Sequence, residues 1–128
     1  MTKVSNQARI KAALDVTPSN LGAPVTRTAT VAGATTGVVA ATDKVVQSVG
    51  VTGQTGYFLT LPVPVVGKTI QFLGSVFAYK IQTSGNTIGI DGITGTPANL
   101  TVAARTPIKL TCTSLTNWQV VVGSGAIA

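Results

Sequence analysis

The sequence predicts an all-β protein, a β-sandwich of jelly-roll or immunoglobulin-like type with about 8–10 short, mostly antiparallel strands behind an N-terminal arm. Three observations carry this expectation. Runs rich in Val, Ile and Thr are broken by 14 Gly and 6 Pro, a composition that favours pleated strands joined by tight turns. Apolar and polar residues alternate within those runs, as they do on strands with one buried face. Only 9% of the residues are charged, against roughly 25% in a typical soluble domain, so the polar surface has to come largely from Thr, Ser, Asn and Gln. At 128 residues the chain fits one domain, long enough to bury a core without disulfides or metals.

Residues 1–24 differ from everything after them and read as an arm ahead of a β-sandwich domain over 25–128. Within 4–15 good helix formers set Ile10, Ala13 and Leu14 on one face, with Ser5 or Asn6 as N-cap. A helix of that length is marginal alone in water, and 17–24 (TPSNLGAP) is a turn-rich breaker leading to an extended linker. A frayed terminus is the alternative to an arm; apolar residues mixed with cations favour the arm, since they suit a segment that orders on a partner surface. Lys3, Val4, Arg9, Ile10, Lys11 and Leu14 are therefore the candidate docking residues of the arm.

From residue 25 onward short β-prone runs alternate with turn signals. The first are 25–34 and 37–41, followed by 44–51, where Val45 and Val49 fall on one face and Val46 on the other. Tyr57, Leu59 and Leu61 share a face of the next run. Residues 62–68 (PVPVVGK) must then leave the ladder, because two prolines lack backbone donors. Ile70 and Phe72 point one way in the next strand; Phe77, Tyr79 and Ile81 do the same opposite Lys80 and Gln82. Ser84-Gly85-Asn86 and Asp91-Gly92 are turns on either side of Ile88 and Ile90. Leu100 and Val102 alternate with Asn99 and Thr101 before Arg105-Thr106-Pro107 turns the chain. Ile108, Leu110 and Cys112 oppose Lys109, Thr111 and Thr113, and the last run sets Trp118, Val120 and Val122 against Gln119 and Val121. Shared parity places Ile70, Phe72, Phe77, Tyr79, Ile81, Leu100, Val102, Ile108, Leu110, Cys112, Trp118 and Val120 in the core.

The residues available for chemistry point to binding and assembly, not catalysis. There is no His and no Glu, and Asp15, Asp43 and Asp91 are the only acids, too scattered to pair. The common metal-ligand sets and His-based triads are thereby removed, so neither an enzyme nor a metal or cofactor is expected. Gly67-Lys68-Thr69 echoes the end of a P-loop, but Pro62 stands where the first glycine belongs and a β-type run follows. Gly50, Gly53 and Gly56 lack the dinucleotide spacing; both sets read as turns. The single Cys112 reads as a small buried hydrophobe.

Net charge is +6, dispersed along the chain with about half of the excess in the first quarter, so attraction to an acidic protein or polyanion is expected. Phe72, Phe77, Tyr79 and Trp118 lie on apolar strand faces and read as core, which makes nucleic acid an unexpected partner. No apolar stretch reaches the roughly 18 residues of a membrane span, and no signal-peptide core is evident, so synthesis in a reducing cytoplasm is expected.

The segments YFLTLP, GKTIQFL, FAYKIQTSGNTIGIDG and NLTVAARTPIKLTCTSLTNWQVV, within residues 56–122, resemble the strand grammar of small virion-surface proteins of tailed bacteriophages. A strand ending in Leu-Pro passes through a Gly-Lys turn to an apolar strand, and the domain closes on Asn-Trp followed by valines. Among such proteins the capsid decoration, or cement, proteins are the nearest in kind. The resemblance implies a structural virion protein on the outer capsid surface, forming a homo-oligomer, a trimer, that binds and stabilises the major capsid protein lattice. The alternative it leaves is a tail-fibre or adhesin module for host glycan or protein; a polyanion-binding β-barrel is a third reading.

Overall fold

Backbone pairing sorts the chain into β1 (Val25–Thr28), β2 (Val45–Val49), β3 (Phe58–Thr60), β4 (Thr69–Leu73), β5 (Tyr79–Gln82), β6 (Gly89–Ile90), β7 (Asn99–Val102), β8 (Ile108–Ser114), β9 (Asn117–Val122) and β10 (Ala126–Ile127). The structure, a computed structural model, describes residues 23–31, 37–95, 97–122 and 126–127. Among these the fold is all-β, in a six-stranded sheet ordered β1-β2-β4-β8-β9-β6 and a four-stranded sheet ordered β10-β7-β5-β3. The helix expected within 4–15 lies outside the described residues.

From β2 to β8 successive strands alternate between the sheets. That winding explains a departure from expectation. The pairs β1–β2, β2–β4, β3–β5 and β6–β9 are parallel, while β4–β8, β5–β7, β8–β9 and β7–β10 are antiparallel, so antiparallel pairing does not predominate. A chain that leaves one sheet, crosses the other and returns can re-enter beside its own earlier strand in the same direction. The excursion supplies the long crossover that parallel pairing needs. Side-chain alternation fixes which face is buried but carries no mark of the partner's direction.

Both sheets turn one face into a single apolar cluster. Val46, Ile70, Phe72, Ile90, Ile108, Leu110, Cys112 and Trp118 enter it from the six-stranded sheet, and Leu59, Tyr79, Ile81, Leu100 and Val102 from the other. Of the residues expected there, Val120 is only half-buried and packs against the cluster beside a register shift between Lys109 and Leu110. Phe77 is a correction: it is 40% exposed. The strand it was counted with begins only at Tyr79, after a bend in which the buried Ser75 Oγ accepts from Gly50 N at 2.7 Å and Phe77 N at 3.2 Å. Gly50 has no room for a side chain there, since a Cβ would stand 2.4 Å from the Phe77 carbonyl oxygen. Two further runs shrink. Among the described residues of 25–34, Val25–Thr28 is strand and Thr30 bridges Phe58, and of 37–41 only Val38 bridges Thr60. The short β10 was not foreseen; it pairs with Leu100 and Thr101.

The core carries polar atoms that no described residue satisfies. Tyr79 OH, Ser48 Oγ and Trp118 Nε1 are buried without a hydrogen-bond partner among the described residues. Ser48 lies near enough to Tyr79 to oppose its shift, yet burial still pushes the phenol up to about 12.

Two outcomes follow from this packing. Trp118→Ala removes the largest buried side chain and should cost about 3–5 kcal/mol in urea unfolding; a loss below about 1 kcal/mol would show that the indole is not in the core. The double variant Tyr79→Phe, Ser48→Ala should be as stable as the parent or more so, because both unsatisfied hydroxyls leave together. With the folded phenol at about 12 against an unfolded value near 10, the native state keeps its proton longer. Parent stability should therefore fall as pH rises from about 10 to 12, and this part of the alkaline loss should be missing from the double variant.

Candidate functional site

The site is assembled where β1, β2, β4 and β8 lie side by side. A tight turn precedes β2: Asp43 N donates to Ala40 O at 3.0 Å, and Ala40 N donates to Asp43 Oδ2 at 3.0 Å. The turn holds the Asp43 carboxylate at 4% exposure, where Arg27 of β1 grips it with Nε at 2.9 Å and Nη2 at 3.1 Å. This two-pronged pair ties β1 to the start of β2 and raises the guanidinium pKa, chiefly through the hydrogen bond to Asp43.

Three lysines converge next to this pair. Lys44 immediately precedes β2, and its carbonyl accepts from Gln71 N of β4 at 2.9 Å. Lys68 immediately precedes β4, and its Nζ donates to Ala41 O at 2.6 Å. Lys109 of β8 stands in register with Gln71. Lys44, Lys68 and Lys109 line one cleft of about 510 Å³, with Val45, Gly67, Thr69 and Gln71 completing its wall. Burial lowers the Lys68 pKa; nearby Asp43 opposes that shift and Lys44 adds to it. Asp43 is already engaged by both prongs of Arg27. The other described acid, Asp91, accepts from Val120 N at 2.7 Å on β9. Among the described residues, Arg27 and the three lysines stand beside one carboxylate, a formal sum of +3.

One rim of the cleft is the proline-broken loop between β3 and β4. Pro62 and Pro64 are buried, so the alternate residues face out: Val63 is 73%, Val65 58% and Val66 61% exposed. The loop is nonetheless pinned. Lys68 N donates to Val65 O at 2.9 Å across a turn whose third residue, Gly67, takes φ 87°, the arrangement of a type II turn. Gly67 N donates to Cys112 O at 2.9 Å and Cys112 N to Lys68 O at 2.8 Å, carrying the β4–β8 ladder into the loop. Exposed valines on a fixed frame bind with little ordering entropy to lose.

The docking residues expected in the arm, Lys3, Val4, Arg9, Ile10, Lys11 and Leu14, lie outside the described residues. The lysine cleft was not foreseen, because Lys44, Lys68 and Lys109 are far apart in sequence and meet only through the β2–β4–β8 register. The valine loop did leave a signal: an apolar run that prolines bar from the ladder cannot bury all its side chains. Cys112 is buried, and burial pushes its thiol pKa up, as suits a packing residue. Among the described residues no group of His, Cys, Asp or Glu could hold a metal ion, and no helix is long and apolar enough to cross a membrane. No protein-family model and no curated protein matches the chain.

Arg27→Ala should lower unfolding stability by about 2–3 kcal/mol, since it strands a nearly buried carboxylate and removes two charge-assisted hydrogen bonds. A denaturation midpoint equal to the parent's would mean that the pair is decorative.

Proposed function

We propose that this chain is a structural virion protein that decorates a bacteriophage capsid, docking on the major capsid protein lattice through the valine loop and the lysine cleft beside it. The observation that carries the reading is the pinned loop with Val63, Val65 and Val66 exposed next to a site whose described residues sum to a formal charge of +3. Such an edge suits a protein surface that is apolar at its centre and acidic at its margin: apolar contact gives affinity and charge gives steering. The resemblance of residues 56–122 to tailed-phage surface proteins supports the same reading. In this proposal the protein works as a homotrimer on the outer surface of the virion. Exposed Val76, Leu115 and Val121, on a chain with so few charges, give it further apolar surface to cover.

The second reading, a tail-fibre or adhesin module, draws on Phe77. Its half-exposed ring lines a cleft of about 250 Å³ with Gln47, Ser48 and Val76, a setting in which an aromatic can stack on a sugar.

Co-sedimentation with undecorated shells of the chain's own virus separates the two. The parent should bind shells, and a variant carrying Val63→Ser, Val65→Ser and Val66→Ser should melt within a few degrees of it while binding at least about tenfold more weakly. Deleting residues 1–24, the proposed docking arm, should also weaken attachment about tenfold without loss of the β signature. Binding to host cells but not to shells would overturn the decoration reading in favour of the adhesin.

A further inference from the structure

The lysine cleft has features beyond those a steering patch requires. It is concave, its floor is the regular register of β4 and β8, and the Thr69 and Thr111 hydroxyls close on each other at 2.8 Å on neighbouring strands. Its cations are all lysines, point charges on flexible stems with no guanidinium fork, which suits several separate carboxylates better than one flat anion. Its walls include Val45 and Gly67, and Gly67 joins the exposed Val66. A volume of about 510 Å³ takes several side chains, well beyond one small ion. Burial is the main cause that lowers the Lys68 pKa, and Asp43, gripped by Arg27, opposes the shift more than Lys44 adds to it.

We propose that the cleft lined by Lys44, Lys68 and Lys109 is a receptor for an acidic, aliphatic peptide segment of the partner, whose carboxylates meet the ammonium groups of Lys68 and Lys109 while its apolar residues lie against Val45 and the Val65–Val66 turn. This rests on the docking reading and gives it a chemistry: the partner contributes a segment in which Asp or Glu alternates with aliphatic residues. Lys68 already donates one hydrogen to Ala41 O, so its ammonium is held at the cleft with two hydrogens left for a ligand.

The test uses the full chain and a short synthetic peptide of alternating glutamate and leucine, followed by amide shifts in heteronuclear NMR. The peptide should shift Lys68, Thr69, Gln71 and Lys109 saturably, and weaken with added salt. Lys68→Gln with Lys109→Gln should lower its affinity about tenfold. Lys109→Gln alone, which leaves the Lys68 to Ala41 bond in place, should lower it severalfold. Lys80→Gln should change nothing, because Lys80 is on β5 of the other sheet, 5.9 Å from the Phe58 ring centroid. Equal loss from Lys80→Gln, or shifts spread over the whole surface, would reduce the cleft to general charge attraction and overturn the proposal. So would inorganic tripolyphosphate binding these residues more tightly than the peptide, which would mark a phosphate site. Because no shell enters the titration, failure here leaves capsid binding standing, and peptide binding by a protein that ignores shells would refute only the decoration reading.

Discussion

Everything in this fold depends on one apolar cluster shared by two sheets. Trp118, Phe72 and Ile70 approach it from one layer and Tyr79, Ile81 and Leu59 from the other, each with essentially no exposed surface. Neither sheet could bury its apolar face alone, so the chain has to keep returning to both. It does so by changing layer at almost every strand, and the connections run over the ends of the sheets where backbone groups need other partners. The bend after β4 finds them through Ser75 and Gly50, and the loop before β4 through Cys112.

The proposed contact edge follows from that winding. Once Leu61, Pro62 and Pro64 are buried, the valines between and after them have only solvent to face. Because β2 and β4 run parallel as neighbours, the lysines that open each strand arrive on the same side, and the antiparallel β8 adds Lys109 opposite Gln71. A chain with three acids in all has few carboxylates to set beside its cations, and Arg27 takes Asp43, the one of the two described acids that lies at this site.

What the sequence disclosed and what it concealed divide along a physical line. Parity within a strand was readable: Tyr79 and Ile81, Leu100 and Val102, Ile108, Leu110 and Cys112, and Trp118 are all buried as their alternation implies. Parity across a hidden bend was not, which is why Phe77 was placed inside; nothing local announces that Ser75 turns the chain. Strand direction and sheet order were equally hidden, since both depend on which distant runs pair. The lysine cleft is a product of that pairing, so it was out of reach, whereas the exposed valines were implied by two prolines in an apolar run. The arm residues from Lys3 to Leu14, the one site that sequence alone suggested, lie beyond the described part of the chain.

The claim that the loop and cleft form the contact face can be tested residue by residue by lysine footprinting, labelling the protein with an amine-reactive ester free and on shells and reading each site by mass spectrometry. The account predicts that Lys44, Lys68 and Lys109 lose labelling on the shell while Lys80, on the opposite sheet, is labelled as in the free protein. Protection of Lys80 with the three cleft lysines unchanged would place the contact on the other face and contradict it.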